Sequence, residues 1–170
     1  MSTRLAIGTA AVLAGIAAAS RRPRGGSRGV LDAFDELSEA EERLEDAHKW
    51  LIERGGRWED GDIGLHGPPP LQQVILSALV DDDGDPGVWI HWIEGTPGRS
   101  GAWALLRQAL EAAGVTFAAG ETIWEQTFQG WMRHGFHELS EDQAEALYED
   151  SGRDPDFSDD PNNRYFMVYL

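Results

Sequence analysis

The sequence predicts one α/β domain in which helices pack on a mixed β-sheet. Two observations support this fold class. Short β-branched and aromatic runs alternate with segments in which apolar residues recur every three or four positions. Two of these runs are joined by an acidic turn that contains Gly and Pro, which is typical of an antiparallel hairpin. We expect this domain to span residues 30–170 and to follow a separate N-terminal segment, residues 1–29.

Composition limits the classes of function. The chain has 170 residues, of which 41% are hydrophobic and 26% charged, so it can bury a core of ordinary size. It has no cysteine, which excludes thiolate metal sites and a cysteine nucleophile. The formal net charge is −16, and all 30 acidic residues follow residue 30. Because so acidic a surface repels a phosphate backbone, nucleic acid is not an expected partner.

Residues 1–29 are predicted to form an apolar, Ala-rich helix followed by an Arg/Gly linker. Residues 5–19 carry no charge, but a membrane-spanning helix needs about 20 apolar residues. Three interpretations therefore stay open: a segment in contact with a membrane, a helix packed in a homo-oligomer or on the domain, and a cleaved signal. Because arginines at 21, 22 and 24 follow the run, a membrane anchor would leave the domain on the cytoplasmic face.

The first half of the domain is predicted to contain one helix and a hairpin. Residues 30–54 carry an apolar stripe at helical spacing and end at a Gly-Gly pair. A loop or short strand follows around Leu65. Residues 71–80 and 88–93 are predicted strands, and the acidic residues between them are a solvated turn because they lack the order of a calcium-binding EF-hand loop.

The second half alternates helices with strands. The glycine-rich residues 95–101 lead into a helix over 102–113, which Gly114 ends. The further predicted elements are a strand at 115–119, a helix at 122–134, a strand at 136–139, a helix opened by the capping box of Ser140 and Gln143 and reaching Asp150, and a terminal strand at 164–170.

The glycine-rich turn is the most informative candidate for a binding site. Glycine lets a backbone approach a ligand closely, and the free N–H groups at a helix start attract phosphate. The turn has no Gly-Lys-Ser/Thr of a Walker loop and no GxGxxG of a dinucleotide fold. An ordinary tight turn and an anion cradle both remain open from this segment alone.

With its surroundings, the turn resembles the pyrophosphate loop of the Gcn5-related N-acetyltransferase (GNAT) superfamily. That loop reads Gln/Arg-x-x-Gly-x-Gly/Ala and enters a helix, which aligns its motif positions with Pro97, Ser100 and Ala102; only Ala102 matches. The resemblance covers about residues 71–170. Downstream it rests on Ala113-Gly114, the strand and helix that follow, Gly135-Phe136 and the closing Tyr165-Phe166-Met167.

The resemblance implies a mostly antiparallel central sheet flanked by helices, and transfer of an acetyl or other acyl group from acyl-coenzyme A to a primary amine. The acceptor would be a small molecule or a protein. Acetyl-CoA would be the cofactor, with the strand at Ile93 beside pantetheine. The pyrophosphate would lie on the backbone of the residues Gly98, Arg99, Ser100, Gly101 and Ala102.

The resemblance also suggests which residues carry out proton transfer. Glu94, at the strand end, is the candidate general base. Tyr148 is a candidate proton donor if the chain folds back, as is Tyr165. No metal site is expected, because Gly135 breaks the helix between His134 and His137. His91 is expected to be a packed, hydrogen-bonded strand residue, and no Ser/His/Asp arrangement is recognisable from spacing.

Two tryptophans depart from the family pattern. Where many members have an Asn and the Tyr that protonates the leaving thiolate, this chain has Trp124 and Trp131. Indole is no general acid near neutral pH, so both residues are interpreted as core or as filling the cofactor cleft. The alternative hypothesis is therefore a catalytically degenerate GNAT-fold protein with a structural or interaction role, such as a virion- or membrane-associated assembly component.

Overall fold

A computed structural model describes most of the predicted domain. The described residues are 30–59, 64–150 and 160–170, without the side chains of 30–33, 148 and 150. The apolar run at residues 5–19 and the linker after it lie outside this part of the chain. Among the described helices, none has the length and apolar character needed to cross a membrane.

Six strands form one sheet. They are β1 (Leu65–His66), β2 (Leu71–Val80), β3 (Pro86–Gly95), β4 (Phe117–Thr122), β5 (His137–Leu139) and β6 (Arg164–Tyr169). Their order across the sheet is β1-β2-β3-β4-β6-β5. β3 and β4 run parallel, whereas the other neighbours run antiparallel. The prediction of a mixed α/β sheet is confirmed.

Four helices of the described chain flank this sheet. They are α1 (Val30–Ile52), α2 (Ala102–Ala113), α3 (Glu125–Arg133) and α4 (Glu141–Asp150). Apolar residues of α1, α2 and α3 share one buried cluster with Val88 and Ile90 of β3, on what we call the α2 face. Residues of α4 pack with Trp89 and Phe117 on the opposite side, the α4 face. The alternation along β3 thus supplies apolar side chains to both layers.

The β2–β3 hairpin closes through its acidic turn, as predicted. The carboxylate of Asp81 accepts hydrogen bonds from the backbone N–H groups of Asp83 and Asp85 at 3.1 and 2.9 Å. A side chain that caps its own turn in this way favours the tight connection between the strands. No group of side chains that could hold a metal ion occurs among the described residues.

Local signals set several helix ends. Gly101 and Gly114 flank α2 with φ of 99° and 78°, a conformation that glycine adopts without strain. At α4, the Gln143 N–H donates to Ser140 Oγ at 3.2 Å, and the Ser140 N–H donates to Gln143 Oε1 at 2.9 Å. The predicted capping box is therefore confirmed.

One boundary was predicted wrongly. The helix expected from residue 122 begins at Glu125, because β4 continues through Glu121 and Thr122, which pair with Tyr165 and Arg164 of β6. Thr122 Oγ1 then accepts the N–H of Trp124 at 3.2 Å, where the chain turns into α3. Pairing with a distant strand overrides the local helical pattern here.

Candidate functional site

The parallel strands β3 and β4 separate before they end. Their pairing runs from Gly87–Phe117 to Ile90–Gly120 and stops there. Beyond it, β3 continues to Gly95 beside β2, and β4 continues to Thr122 beside β6. We call the gap between residues 91–95 and 121–122 the opening. It lies at the carboxyl ends of two parallel strands, where open α/β sheets commonly bind ligands.

A β-bulge lies at the start of the opening. Ile75 pairs with Trp92 and Leu76 with Ile90, so His91 is the extra residue on β3. The bulge directs both His91 and Trp92 toward the α4 face, where His91 Nε2 lies 3.0 Å from Ser77 Oγ on β2. The expectation that His91 is hydrogen-bonded within the sheet is confirmed.

The glycine-rich loop joins the opening to α2. Residues 97–101 are exposed, and Gly98 and Gly101 have positive φ angles of 77° and 99°. The Thr96 N–H donates to Pro70 O at 2.7 Å, and the Arg99 N–H donates to Thr96 O at 3.0 Å. The Arg99 amide is thus used inside the loop.

The start of α2 keeps its first amides available. Gly101 is the residue before the helix and, lacking a side chain, makes no capping hydrogen bond. Ala102 is half-buried and Ser100 is exposed. The N–H groups of the first helical turn have no intrahelical acceptor, so they form a region of positive potential beside the loop.

Two of the predicted site residues, Ile93 and Glu94, lie next to each other on β3 and face opposite sides of the sheet. Ile93 is 3% exposed, belongs to the α2-face core and pairs with Val74. Glu94 pairs with Gln73, is half-buried and therefore faces the α4 side. The candidate base and the loop are thus brought together at one edge of the sheet. Tyr148 belongs to α4, but its side chain lies outside the described part of the chain.

Trp131 is a core residue, as predicted. It is 1% exposed, and its ring centroid lies 5.5 Å from that of Trp103, 4.7 Å from Phe136 and 5.0 Å from Phe166. The same prediction is wrong for Trp124, which is 43% exposed. Trp124 precedes the first residue of α3, at the edge of the sheet, so its side chain is not carried into the core.

The aromatic cluster extends to the opening. The ring of Phe166 covers Gly120, where an added Cβ would lie 2.8 Å from Phe166 Cζ and 3.1 Å from Ile90 O. Gly120 is therefore required at the last residue before the strands separate. Phe166 also stacks on Trp131, so aromatic side chains fill the α2 side of the sheet where the opening begins.

A buried polar group borders the opening on the α4 side. Glu121 is 5% exposed and accepts a hydrogen bond from the side-chain amide of Asn163, which also donates to Tyr165 Oη at 3.2 Å. Burial, and next the charge of Glu121, raise the pKa of Tyr165 from its ordinary 10.0 to about 12. Sequence patterns give no signal for this group, because the predicted strand ends at residue 119, before Glu121.

Comparisons with known proteins add no identity: no family model, no curated protein and no solved structure matches this chain. The geometry of the opening and the resemblance of the loop are therefore the basis for assigning a function.

Proposed function

We propose that this chain is a GNAT-fold N-acyltransferase that binds acyl-CoA in the opening and transfers the acyl group to a primary amine. One observation carries the proposal. Within the described part of the chain, no strand pairs with residues 91–95 of β3 on the β4 side, and these residues lead through the glycine-rich loop to the start of α2, where Gly101 makes no side-chain cap. An unpaired strand edge next to a helix N-terminus matches a ligand that has both amides and a pyrophosphate.

The pantetheine arm and the pyrophosphate of acyl-CoA each have a matching protein group. The amides of the pantetheine arm can pair with the free edge of β3 near Ile93, as an added strand would. The pyrophosphate can accept hydrogen bonds from the amides at Ala102 and Trp103. Arg99 is the single basic residue of the loop and is exposed beside them. Acetyl-CoA is the proposed cofactor.

The proposed reaction needs one base and no obligatory protein acid. The amine nitrogen attacks the thioester carbon, the carbon–sulfur bond breaks, and coenzyme A leaves as a thiolate. Glu94 takes the proton that the amine loses, from its half-buried position on the α4 face. Because ordinary thiols have a pKa of about 8.5, the leaving thiolate takes up a proton from water near neutral pH.

A catalytically inactive GNAT-fold protein is the second candidate function, and Trp131 favours it. The residue aligned with the family's acid is a fully buried indole within an aromatic cluster. Tyr165 is itself buried, with its pKa raised to about 12, which makes it a weak acid. In this case the domain would serve as an interaction module, such as a virion- or membrane-associated assembly component that makes contacts through residues 5–19.

Calorimetric titration of the full chain with acetyl-CoA tests the proposal. Binding in the micromolar range, with release of free thiol in the presence of an amine acceptor, is the expected result. Binding without thiol release across a broad set of amines would favour the second candidate. If the folded chain binds no acyl-CoA, the acyltransferase proposal is wrong.

Two substitutions at Gly101 test the position of the pyrophosphate. A Cβ there would lie 3.5 Å from Pro70 Cγ, an ordinary contact, and Asn and Asp both tolerate positive φ better than other residues. Gly101→Asp should weaken acetyl-CoA binding by about tenfold or more, because its charge repels the pyrophosphate. Gly101→Asn has the same shape without the charge and should bind several times more tightly than Gly101→Asp. Equal affinity of the two variants would contradict this placement.

A further inference from the structure

We propose that Ser77 is a nucleophile on the α4 face, that His91 accepts its proton, and that the pair reacts with activated acyl groups. Ser77 Oγ and His91 Nε2 lie 3.0 Å apart on adjacent strands. A hydroxyl at this distance from an imidazole nitrogen can lose its proton as it attacks a carbonyl. This proposal is independent of acyl-CoA binding, since it uses neither the glycine-rich loop nor the start of α2.

The sheet itself holds the pair in position. Ser77 pairs with Trp89 inside the β2–β3 ladder, and alternation along β3 places His91, two residues after Trp89, on the same face. The bulge also turns Trp92 onto this side, whereas strand alternation alone would direct Trp92 to the α2 face. Both members of the pair are half-buried, so the imidazole is partly shielded from water but still partly exposed. A reactive pair built on two paired strands is held more firmly than one on loops.

Two neighbours suit a nucleophilic site. Ala119 pairs with Trp89 on the α4 face, so two residues further along each strand Glu121 and His91 also share that face. A carboxylate on the same face as the imidazole favours the charged imidazolium that forms during attack. The indole Nε1 of Trp92 is buried and has no hydrogen-bond partner within the described chain. It is a candidate donor to the oxyanion that develops on the carbonyl.

The proposed reaction is acylation of Ser77 followed by hydrolysis. Ser77 Oγ forms a bond to the carbonyl carbon of an activated ester or thioester, and His91 takes the hydroxyl proton. The alkoxide, phenolate or thiolate leaves and takes that proton from His91. Water then attacks the acyl-serine, gives its proton to His91, and Ser77 Oγ recovers a proton as the acid is released.

A fluorophosphonate probe tests this directly on the full chain. Ser77 Oγ would bond to phosphorus as fluoride leaves, so peptide mapping should find the adduct on Ser77. His91→Gln retains a group that can hydrogen-bond to Ser77 but removes the base, and should slow labelling by about 10²–10⁴-fold. Ser38→Ala is a matched control, because Ser38 is exposed on α1, on the other face of the sheet, and should not affect labelling.

Glu121 is a positioning residue that acts through His91, so its test measures the labelling rate and the affinity for the probe separately. Glu121→Gln should lower the maximal labelling rate while the probe concentration that gives half of that rate stays unchanged. A purely structural role would also shift the thermal midpoint or the half-saturating concentration. The proposal is overturned if the folded wild-type chain is not labelled at Ser77, or if His91→Gln is labelled as fast as wild type. The first outcome needs no variant, so loss of folding cannot obscure it.

Discussion

Replacing Trp131 with alanine should destabilise the domain by about 3–5 kcal/mol. Trp131 is 1% exposed, and three aromatic rings lie within 4.7–5.5 Å of its own. These rings belong to α2, to β6 and to the segment before β5. Because these rings are anchored in different elements, they cannot move together to fill the cavity that alanine would leave unless a helix shifts across the sheet.

Replacing Trp131 with phenylalanine should lower the free energy of unfolding by less than roughly half of the loss that alanine causes. The indole N–H is buried and has no hydrogen-bond partner among the described residues. A buried group of this kind costs about 1–3 kcal/mol. Phenylalanine removes the N–H and keeps most of the ring contacts, so relief of this cost offsets part of the lost packing.

Guanidinium unfolding followed by far-ultraviolet circular dichroism measures both changes without relying on tryptophan fluorescence. Trp124→Ala is the control, since Trp124 is 43% exposed at the start of the same helix and should change stability by about 0.5 kcal/mol or less. In thermal unfolding, Trp131→Ala should lower Tm by roughly 6–20 °C. If Trp131→Ala lowers stability no more than Trp124→Ala does, Trp131 is not a core residue, and aromatic side chains do not fill the α2 side of the sheet as described.

Two further predictions concern pH. Burial lowers the pKa of half-buried His48, against the opposing charge of Glu45, so the folded state binds fewer protons than the unfolded state. The free energy of unfolding should therefore fall as pH drops below about 6.5, and His48→Phe should lessen that fall; an unchanged slope between about pH 5 and 7 would contradict the assignment. Burial and the charge of Glu121 raise the pKa of Tyr165 to about 12, so Tyr165→Phe should remove the phenolate absorbance step near that pH. Stability from this group is complete below about pH 10 and is lost as pH rises toward the folded pKa, and a Tyr165 step near its ordinary value would refute the buried cluster.

The elements of the fold are largely predictable because their signals are local. The glycines on either side of α2 and the Ser140–Gln143 capping box each mark a helix end within a few residues. Alternation and turn composition predict the β2–β3 hairpin in the same way. The end of β4 is not predictable from its own residues, since Glu121 and Thr122 are held extended by β6, more than 40 residues later in the chain.

The candidate site is predictable only where it is contiguous. The glycine-rich loop and Glu94 follow one another in the sequence and meet at the opening. Ser77 and His91 are brought together by the register between β2 and β3, which has no local signature here. Glu121 and Asn163 meet through pairing of β4 with β6. A spacing search along the chain therefore finds the loop and misses the polar groups on the α4 face.

The two sides of the opening differ in chemistry, and this limits any mechanism. The α2 side is closed by aromatic rings around Trp131, including the ring of Phe166 that covers Gly120. The ionisable side chains Glu94, His91 and Glu121 all lie on the α4 face. Among the described residues, the proposed proton transfers would therefore take place on the α4 side, whether the acyl group goes to an amine or to Ser77. Because the indole of Trp131 stands where a family acid is expected, the proposed acyl-CoA thiolate would leave without a protein acid, so transfer to an amine should be slow even where binding is tight.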